Sequence, residues 1–304
     1  MRWPRRACRR SSGRCGSGRT GPGSSPRCSS SGRRGNRSWC GRRTLGPVAW
    51  CIPRPAGVTA SPGPLLDVQG LAKAFGGLHA VDDLSFAVRE REILGLLGPN
   101  GSGKTTVFNL IAGALPPDGG QIFFSGRPIT RCAPSLRASL GIARTFQLVR
   151  TLLNLRALDN VVVARLYGHE PAPSVRQARS EALKVLELVG LDGKATHPAA
   201  RLTLAERKKL EIACALATRP RLLLLDEPAA GLNLEEVNAL FALFSRIRAG
   251  GMTLIIVEHN IRAVRALCDR VVVLNSGKKI AEGTPAHALR FPGVEALNGK
   301  HERR

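Results

Sequence analysis

Gly98-Pro99-Asn100-Gly101-Ser102-Gly103-Lys104-Thr105 has the spacing G-x-x-x-x-G-K-[ST] of a phosphate-binding loop, and its neighbours give that spacing meaning. The apolar run Ile93-Leu94-Gly95-Leu96-Leu97 precedes it and reads as a buried strand, whereas Thr106-Val107-Phe108-Asn109-Leu110-Ile111-Ala112 follows it and reads as a helix. A glycine-rich loop between a strand end and a helix start turns successive backbone N–H groups inward around phosphate oxygens, and the helix N-terminus adds partial positive charge. Lys104 supplies a full charge to the β and γ phosphates, which leaves the Thr105 hydroxyl for Mg2+. A glycine-rich turn that happens to precede a lysine is the competing reading, and the strand–helix setting argues against it. The stretch predicts binding of a nucleoside triphosphate.

A second apolar run, Arg221-Leu222-Leu223-Leu224-Leu225, ends in Asp226-Glu227-Pro228, as a strand does when it delivers acids to the C-terminal edge of a parallel sheet. Adjacent acids can divide the work: Asp226 would reach Mg2+ through its water shell, and Glu227 would accept a proton from the water that attacks the γ phosphate. A strand end that is acidic only because it meets solvent is the alternative, and Lys104 upstream weighs against it. A third strand, Met252-Thr253-Leu254-Ile255-Ile256-Val257, ends in Glu258-His259-Asn260, which puts His259 at the same edge, able to hydrogen-bond the γ phosphate and the attacking water. Gln147, ending Ile142-Ala143-Arg144-Thr145-Phe146-Gln147, completes the set as a ligand of Mg2+ and water on a mobile loop.

These residues resemble, in order and spacing, the ATP-binding subunit of ABC transporters, over roughly residues 65 to 299. Within that family, Ala143-Arg144-Thr145-Phe146-Gln147, the run Asp226-Glu227-Pro228-Ala229-Ala230-Gly231-Leu232-Asn233 and the ending Gly283-Thr284-Pro285 look like the branched-chain amino acid importer group, and within it the first of two ATPase subunits. The resemblance implies an α/β fold, a P-loop ABC ATPase with a RecA-like parallel sheet core, a small antiparallel β subdomain and a helical subdomain. It also implies that Gly98, Pro99, Asn100, Gly101, Ser102, Gly103, Lys104, Thr105 and Thr106 bind ATP. Glu227, His259 and Gln147 would then serve catalysis, and Thr105, Gln147 and Asp226 would hold Mg2+. Phe75, in Leu71-Ala72-Lys73-Ala74-Phe75-Gly76-Gly77, matches the position where the family stacks a ring on adenine, with core packing as the competing reading.

The family's dimer signature, usually Leu-Ser-Gly-Gly-Gln, falls on Leu202-Thr203-Leu204-Ala205-Glu206. Only Leu202 is identical, but Thr203 keeps the hydroxyl of the serine and Ala205 still offers a backbone N–H where the second glycine stands. Without the family, Thr203-x-x-Glu206 ahead of an apolar-periodic run is a capping box that opens a helix running through about Thr218. The readings agree, because a capped helix N-terminus is an anion site and the signature presents one to the partner's ATP. A carboxylate at 206 would repel the γ phosphate unless it folds back as part of the cap.

The chain carries 46 Lys+Arg against 22 Asp+Glu, and its net charge of +24 would ordinarily suggest nucleic acid. The charge is uneven. Residues 1–60 hold 14 arginines, no lysine and no acid, so that 32 basic residues face 22 acidic ones beyond, a balance of +10. All three tryptophans and five of the eight cysteines also lie there. A stretch rich in Arg, Gly, Ser and Pro without aliphatic periodicity buries too little surface to offset its chain entropy, and residues 1–60 read as a disordered leader. Its residue types are those that GC-rich codons encode, and the expected origin is translation from upstream of a true start near Val58; a transit peptide lacking an apolar face and a basic arm touching lipid or nucleic acid are the alternatives. The cysteines show neither Cys-x-x-Cys spacing nor a disulfide framework. No apolar run approaches the ~18 residues that span a bilayer, so the pore of any transporter must be another chain.

Periodicity then organises the rest. Residues from Leu65 to about Glu92 read as a small antiparallel sheet, and residues 93 to about 147 and about 219 to 282 as the parallel sheet with its helices. Leu158 to Val163 and Ser180 to Val189 have helical spacing, interrupted at Gly168-His169-Glu170-Pro171-Ala172-Pro173, within a helical subdomain of about residues 148–212. Val271 to Ile280 makes a late hairpin around Asn275-Ser276-Gly277. The ATPase domain spans residues 65–290, with 291–304 as an extension. The resemblance implies a head-to-tail dimer with a second ABC ATPase subunit, Thr203 and Ala205 completing the opposite site, two membrane permease subunits, indirectly a periplasmic or extracytoplasmic substrate-binding protein, no specific nucleic acid, and a peripheral place on the cytoplasmic face of the inner membrane. The rival class is a soluble ABC ATPase acting on ribosomes or nucleic acid; such chains usually carry two ATPase units or a long coiled-coil insert.

Overall fold

The computed structural model describes residues 63–146, 149, 151–258 and 261–290, the last segment by backbone alone at 261–263. Two sheets organise them. The first has the order β2-β1-β4-β5, built from β1 (Leu66–Phe75), β2 (Leu78–Val88), β4 (Gly119–Phe124) and β5 (Arg127–Pro128), all antiparallel. The second has the order β10-β9-β3-β8-β7-β6 and is parallel except at its edge, where β10 (Lys278–Gly283) folds back on β9 (Arg270–Asn275). Its inner strands are β3 (Ile93–Leu97), β8 (Thr253–Val257) and β7 (Leu222–Asp226), with β6 (Ile142–Arg144) at the other edge.

Every residue of β3, β7 and β8 is buried, which is why these runs are apolar without alternation: both faces of the sheet are covered. Alternate residues divide between two cores. Leu223, Leu225, Leu254 and Ile256 face Phe244 and Leu240 of α6 (Leu234–Ala249) and the helices α3 (Ala157–Leu166), α4 (Val175–Val189) and α5 (Leu204–Ala217). Leu222, Leu224, Ile255 and Val257 face the other way, onto Val107, Phe108 and Ile111 of α1 (Lys104–Ala112) and the apolar side of the antiparallel sheet. The shorter helices are α2 (Pro134–Ser139), α7 (Ile261–Leu267) and α8 (Pro285–Ala288).

The sequence reading confines the antiparallel sheet to residues before about 92, and here the structure differs. Gly119–Phe124 leaves the region assigned to the parallel sheet and pairs with β1, setting Val68 opposite Ile122 and Leu66 opposite Phe124. The four side chains share one core, so burial decides the partner of this strand. The helix after the phosphate loop also starts two residues early, at Lys104, because the Gly103 carbonyl already accepts the Val107 N–H at 2.9 Å.

α1 is fixed at its far end by Arg137, one of the most deeply buried side chains, 1 % exposed. Its guanidinium donates to the carbonyls of Leu110 (2.5 Å), Ile111 (2.8 Å), Thr130 (2.8 Å) and Cys132 (3.0 Å). Two of those carbonyls, of Leu110 and Ile111, lie in the last turn of α1, where a cation is favoured. Gly113 makes room for it, since a Cβ there would lie 2.8 Å from Arg137 Nε.

Candidate functional site

Sheet register brings the chemistry to one edge. Leu96 pairs with Val257 and Val257 with Asp226, so β3, β8 and β7 end in one row. The phosphate loop, Asp226-Glu227 and Glu258 all leave the sheet there. The loop is shaped by backbone contacts that exclude side chains: a Cβ on Gly98 would lie 2.3 Å from the Leu274 carbonyl oxygen, and one on Gly103 2.2 Å from that of Ala80. Gly277, in the turn between β9 and β10, donates to the Ser102 carbonyl at 3.1 Å and accepts from the Asp82 N–H at 2.9 Å, tying the loop to both sheets.

Lys104 is buried, and its ammonium donates to the carbonyls of Gly98 and Pro99, each at 2.8 Å. Burial lowers its pKa, while Glu227 and Asp226 oppose that shift, so the lysine and both acids share one electrostatic environment. Among the described residues, Ser102 Oγ and Asp226 Oδ1 are buried without a hydrogen-bond partner. Orphaned polar atoms at such a place fit a ligand that supplies the missing contacts: phosphate oxygens for Ser102, and a divalent cation for Asp226.

Asp226 Oδ2 is held by Arg144, whose Nη2 lies 2.8 Å away while its Nη1 donates to Asn109 Oδ1 at 2.5 Å. The guanidinium sits 5.7 Å from the ring centroid of Phe108 and 5.4 Å from that of Phe146. One arginine at the end of β6 thus joins α1 to the acid at the end of β7. Sequence reasoning had Arg144 only as part of a motif, since the two partners are 82 residues apart.

Glu227 is half-buried and adopts φ 45°, the left-handed region that costs a non-glycine residue strain. Its N–H donates to the Val257 carbonyl at 3.1 Å, which anchors the turn to β8. Phe75 is 48 % exposed, and the Lys73 ammonium lies 5.6 Å from its ring centroid. That exposure removes the core-packing reading and leaves a ring available at the end of β1. Gln147 and His259 lie outside the described residues.

Thr203 and Ala205 are carried elsewhere, at the N-terminus of α5. Thr203 Oγ1 accepts the Glu206 N–H at 3.3 Å and Glu206 Oε2 accepts the Thr203 N–H at 3.0 Å, a complete capping box. The carboxylate is folded back, and Lys194 pairs with its other oxygen. Burial works to raise the Glu206 pKa; the hydrogen bonds from Lys194 and the Thr203 N–H outweigh it, and the group titrates below its ordinary value. Leu204 reaches across to Gly231, where an added Cβ would lie 3.2 Å from Leu204 Cδ2.

Comparison with known proteins follows the same lines. Residues 81–230 match the ABC transporter family. The chain is 40% identical over 244 residues to the high-affinity branched-chain amino acid transport ATP-binding protein LivG of Salmonella typhimurium, covering 76% of this chain and 96% of that one. It is 38% identical over 244 residues, with the same coverage, to the corresponding protein BraF of Pseudomonas aeruginosa. Among solved structures, the ADP conformation of an ATP-binding cassette of an ABC transporter superposes with a TM-score of 0.70 at 29% identity, covering 77% of this chain and 98% of that one.

Proposed function

We propose, from the premise that the chain belongs to the ABC transporter family and is one of its ATP-binding, ATP-hydrolysing subunits, that it energises an importer of branched-chain or related amino acids and amides. The observation that carries the reading is the meeting of Lys104, Asp226 and Glu227 at one sheet edge, beside the N-terminus of α1.

In this mechanism the backbone N–H groups of residues 100–106 and Ser102 Oγ receive the phosphates, and Lys104 offsets their charge. Thr105, Asp226 and Gln147 would hold Mg2+, which would supply positive charge against the phosphates. Glu227 accepts the proton of the attacking water, and His259 orients that water. Phe75 stacks on adenine. Thr203 and the Ala205 N–H act on the nucleotide of a second ATPase subunit, so that two subunits close head to tail over two ATP molecules.

Among the described residues no helix is long and apolar enough to cross a membrane. In this reading the partners are two permease chains that supply the pore, with an extracytoplasmic binding protein delivering substrate, and this chain works at the cytoplasmic face. Reconstitution of the full chain with permeases, a second ATPase and a binding protein of a branched-chain amino acid importer is the test: leucine, isoleucine or valine should enter proteoliposomes in an ATP-dependent manner. ATP hydrolysis indifferent to permeases, binding protein and amino acid would overturn the proposal.

A further inference from the structure

The strained turn at Glu227 is gripped from α5. Lys208 is 7 % exposed, and its ammonium donates to the Pro228 carbonyl at 3.0 Å and the Glu227 carbonyl at 3.4 Å. Glu258, at the end of β8 and 2 % exposed, accepts the next N–H along, that of Ala229, at 3.2 Å. One helical turn beyond Lys208, on the same face of α5, Glu211 accepts the Phe146 N–H at 3.0 Å, immediately before Gln147. A single face of α5 therefore touches the backbone that follows β6 and the backbone that follows β7.

A buried ammonium is costly unless its protons are used, and backbone carbonyls and nearby carboxylates use these. Glu211, Glu258 and Glu227 face Lys208 and oppose the loss of charge that burial favours. The same helix begins at the Thr203 cap five residues earlier and runs unbroken for fourteen residues.

We infer that Lys208 is a positioning residue for Glu227, holding the left-handed turn that aims the carboxylate and passing displacement of α5 to it. Engagement of the Thr203 end by another subunit's nucleotide thus reaches this subunit's own hydrolytic geometry through one side chain. The inference rests on the role given to Glu227 under the proposed function.

A mutant cycle separates the two. Lys208→Met keeps the length and removes charge and donors. In the full chain with saturating Mg-ATP it should lower turnover by about 10²-fold, the size expected when a reacting group is displaced by about 1 Å, while affinity for a fluorescent ATP analogue stays within about twofold. Lys208→Arg, which keeps the donors, should recover most of the turnover. In a Glu227→Gln background, Lys208→Met should cost nothing further, because residues acting as a unit are not additive. An equal loss in both backgrounds would overturn the inference, as would wild-type turnover in Lys208→Met. Should that variant not fold, Lys208→Gln takes its place in the same cycle, with a smaller loss expected in the wild-type background and none in the other. Wild-type turnover in Glu227→Gln alone would sink the functional reading of Glu227 instead.

Discussion

The phosphate loop and the start of α5 are both helix N-termini suited to anions, and they are made of different material. The loop is defined by backbone against backbone, with Gly98 and Gly103 where a Cβ would come within 2.3 and 2.2 Å of carbonyl oxygens. The start of α5 is defined by side chains, Thr203 and Glu206 bonding each other in reach of solvent, with Lys194 on the outer oxygen. A site built from close backbone contact has little freedom of sequence. One built from exchangeable side chains can drift while keeping its geometry, and Leu-Thr-Leu-Ala-Glu stands here where the family usually has Leu-Ser-Gly-Gly-Gln.

Gly103→Ala should break the backbone-built side most severely. The new Cβ meets the Ala80 carbonyl at a φ of 102°, and no rotamer relieves it. Positive-φ strain and overpacking together predict a loss of about 3 kcal/mol or more, read as a lowered denaturant midpoint. Unchanged stability would mean that the loop yields more readily than its contacts imply.

Glu227→Gln should leave fold and ATP affinity alone and slow hydrolysis by about 10²-fold, equivalent to ~2.7 kcal/mol of transition-state stabilisation. Single-turnover hydrolysis checks this, and a tight ATP-bound dimer should accumulate.

Thr203→Ala sharpens the comparison on the side-chain-built half. The lost cap should lower stability by about 1 kcal/mol without nucleotide, and a lost hydrogen bond to phosphate should weaken ATP-dependent dimerisation by a further 1.5–3 kcal/mol or so. Sedimentation with ATP and the catalytically slowed Glu227→Gln partner separates the losses; a melting shift with dimerisation intact would leave Thr203 a cap and nothing more.

The smallest effect belongs to Glu206→Gln. The folded-state pKa of Glu206 is depressed, so its charged form stabilises the fold fully above the ordinary carboxylate range and loses that contribution as pH falls through the lower folded value. The variant should therefore be less stable than the parent by about 0.5 kcal/mol near neutrality, with the gap closing in acid. A gap that widens on acidification would contradict the cap geometry.

Much of this site was legible in the sequence because it is local. The apolar runs of β3, β7 and β8 announce strands buried on both faces, and the candidate site residues stand at or just beyond their ends. The Thr203–Glu206 cap is likewise a four-residue signal. Sequence could not show that Gly119–Phe124 pairs with β1, because the choice of sheet is made by Ile122 and Phe124 finding Leu66 and Val68. Nor could it show the cations that brace the site. Arg144 reaches Asp226 across 82 residues and Lys208 reaches Pro228 across 20, and only the folded chain makes them neighbours.

Arg137 gives α1 a fulcrum. Its guanidinium holds the end of the helix remote from the phosphate loop through the Leu110 and Ile111 carbonyls, a grip that uses no residue of the candidate site. The two ends are about 13 Å apart. The loop end is held differently, by backbone contacts to β2 and the β9–β10 turn at Gly103 and Ser102, so any shift of the loop must be shared with those two segments.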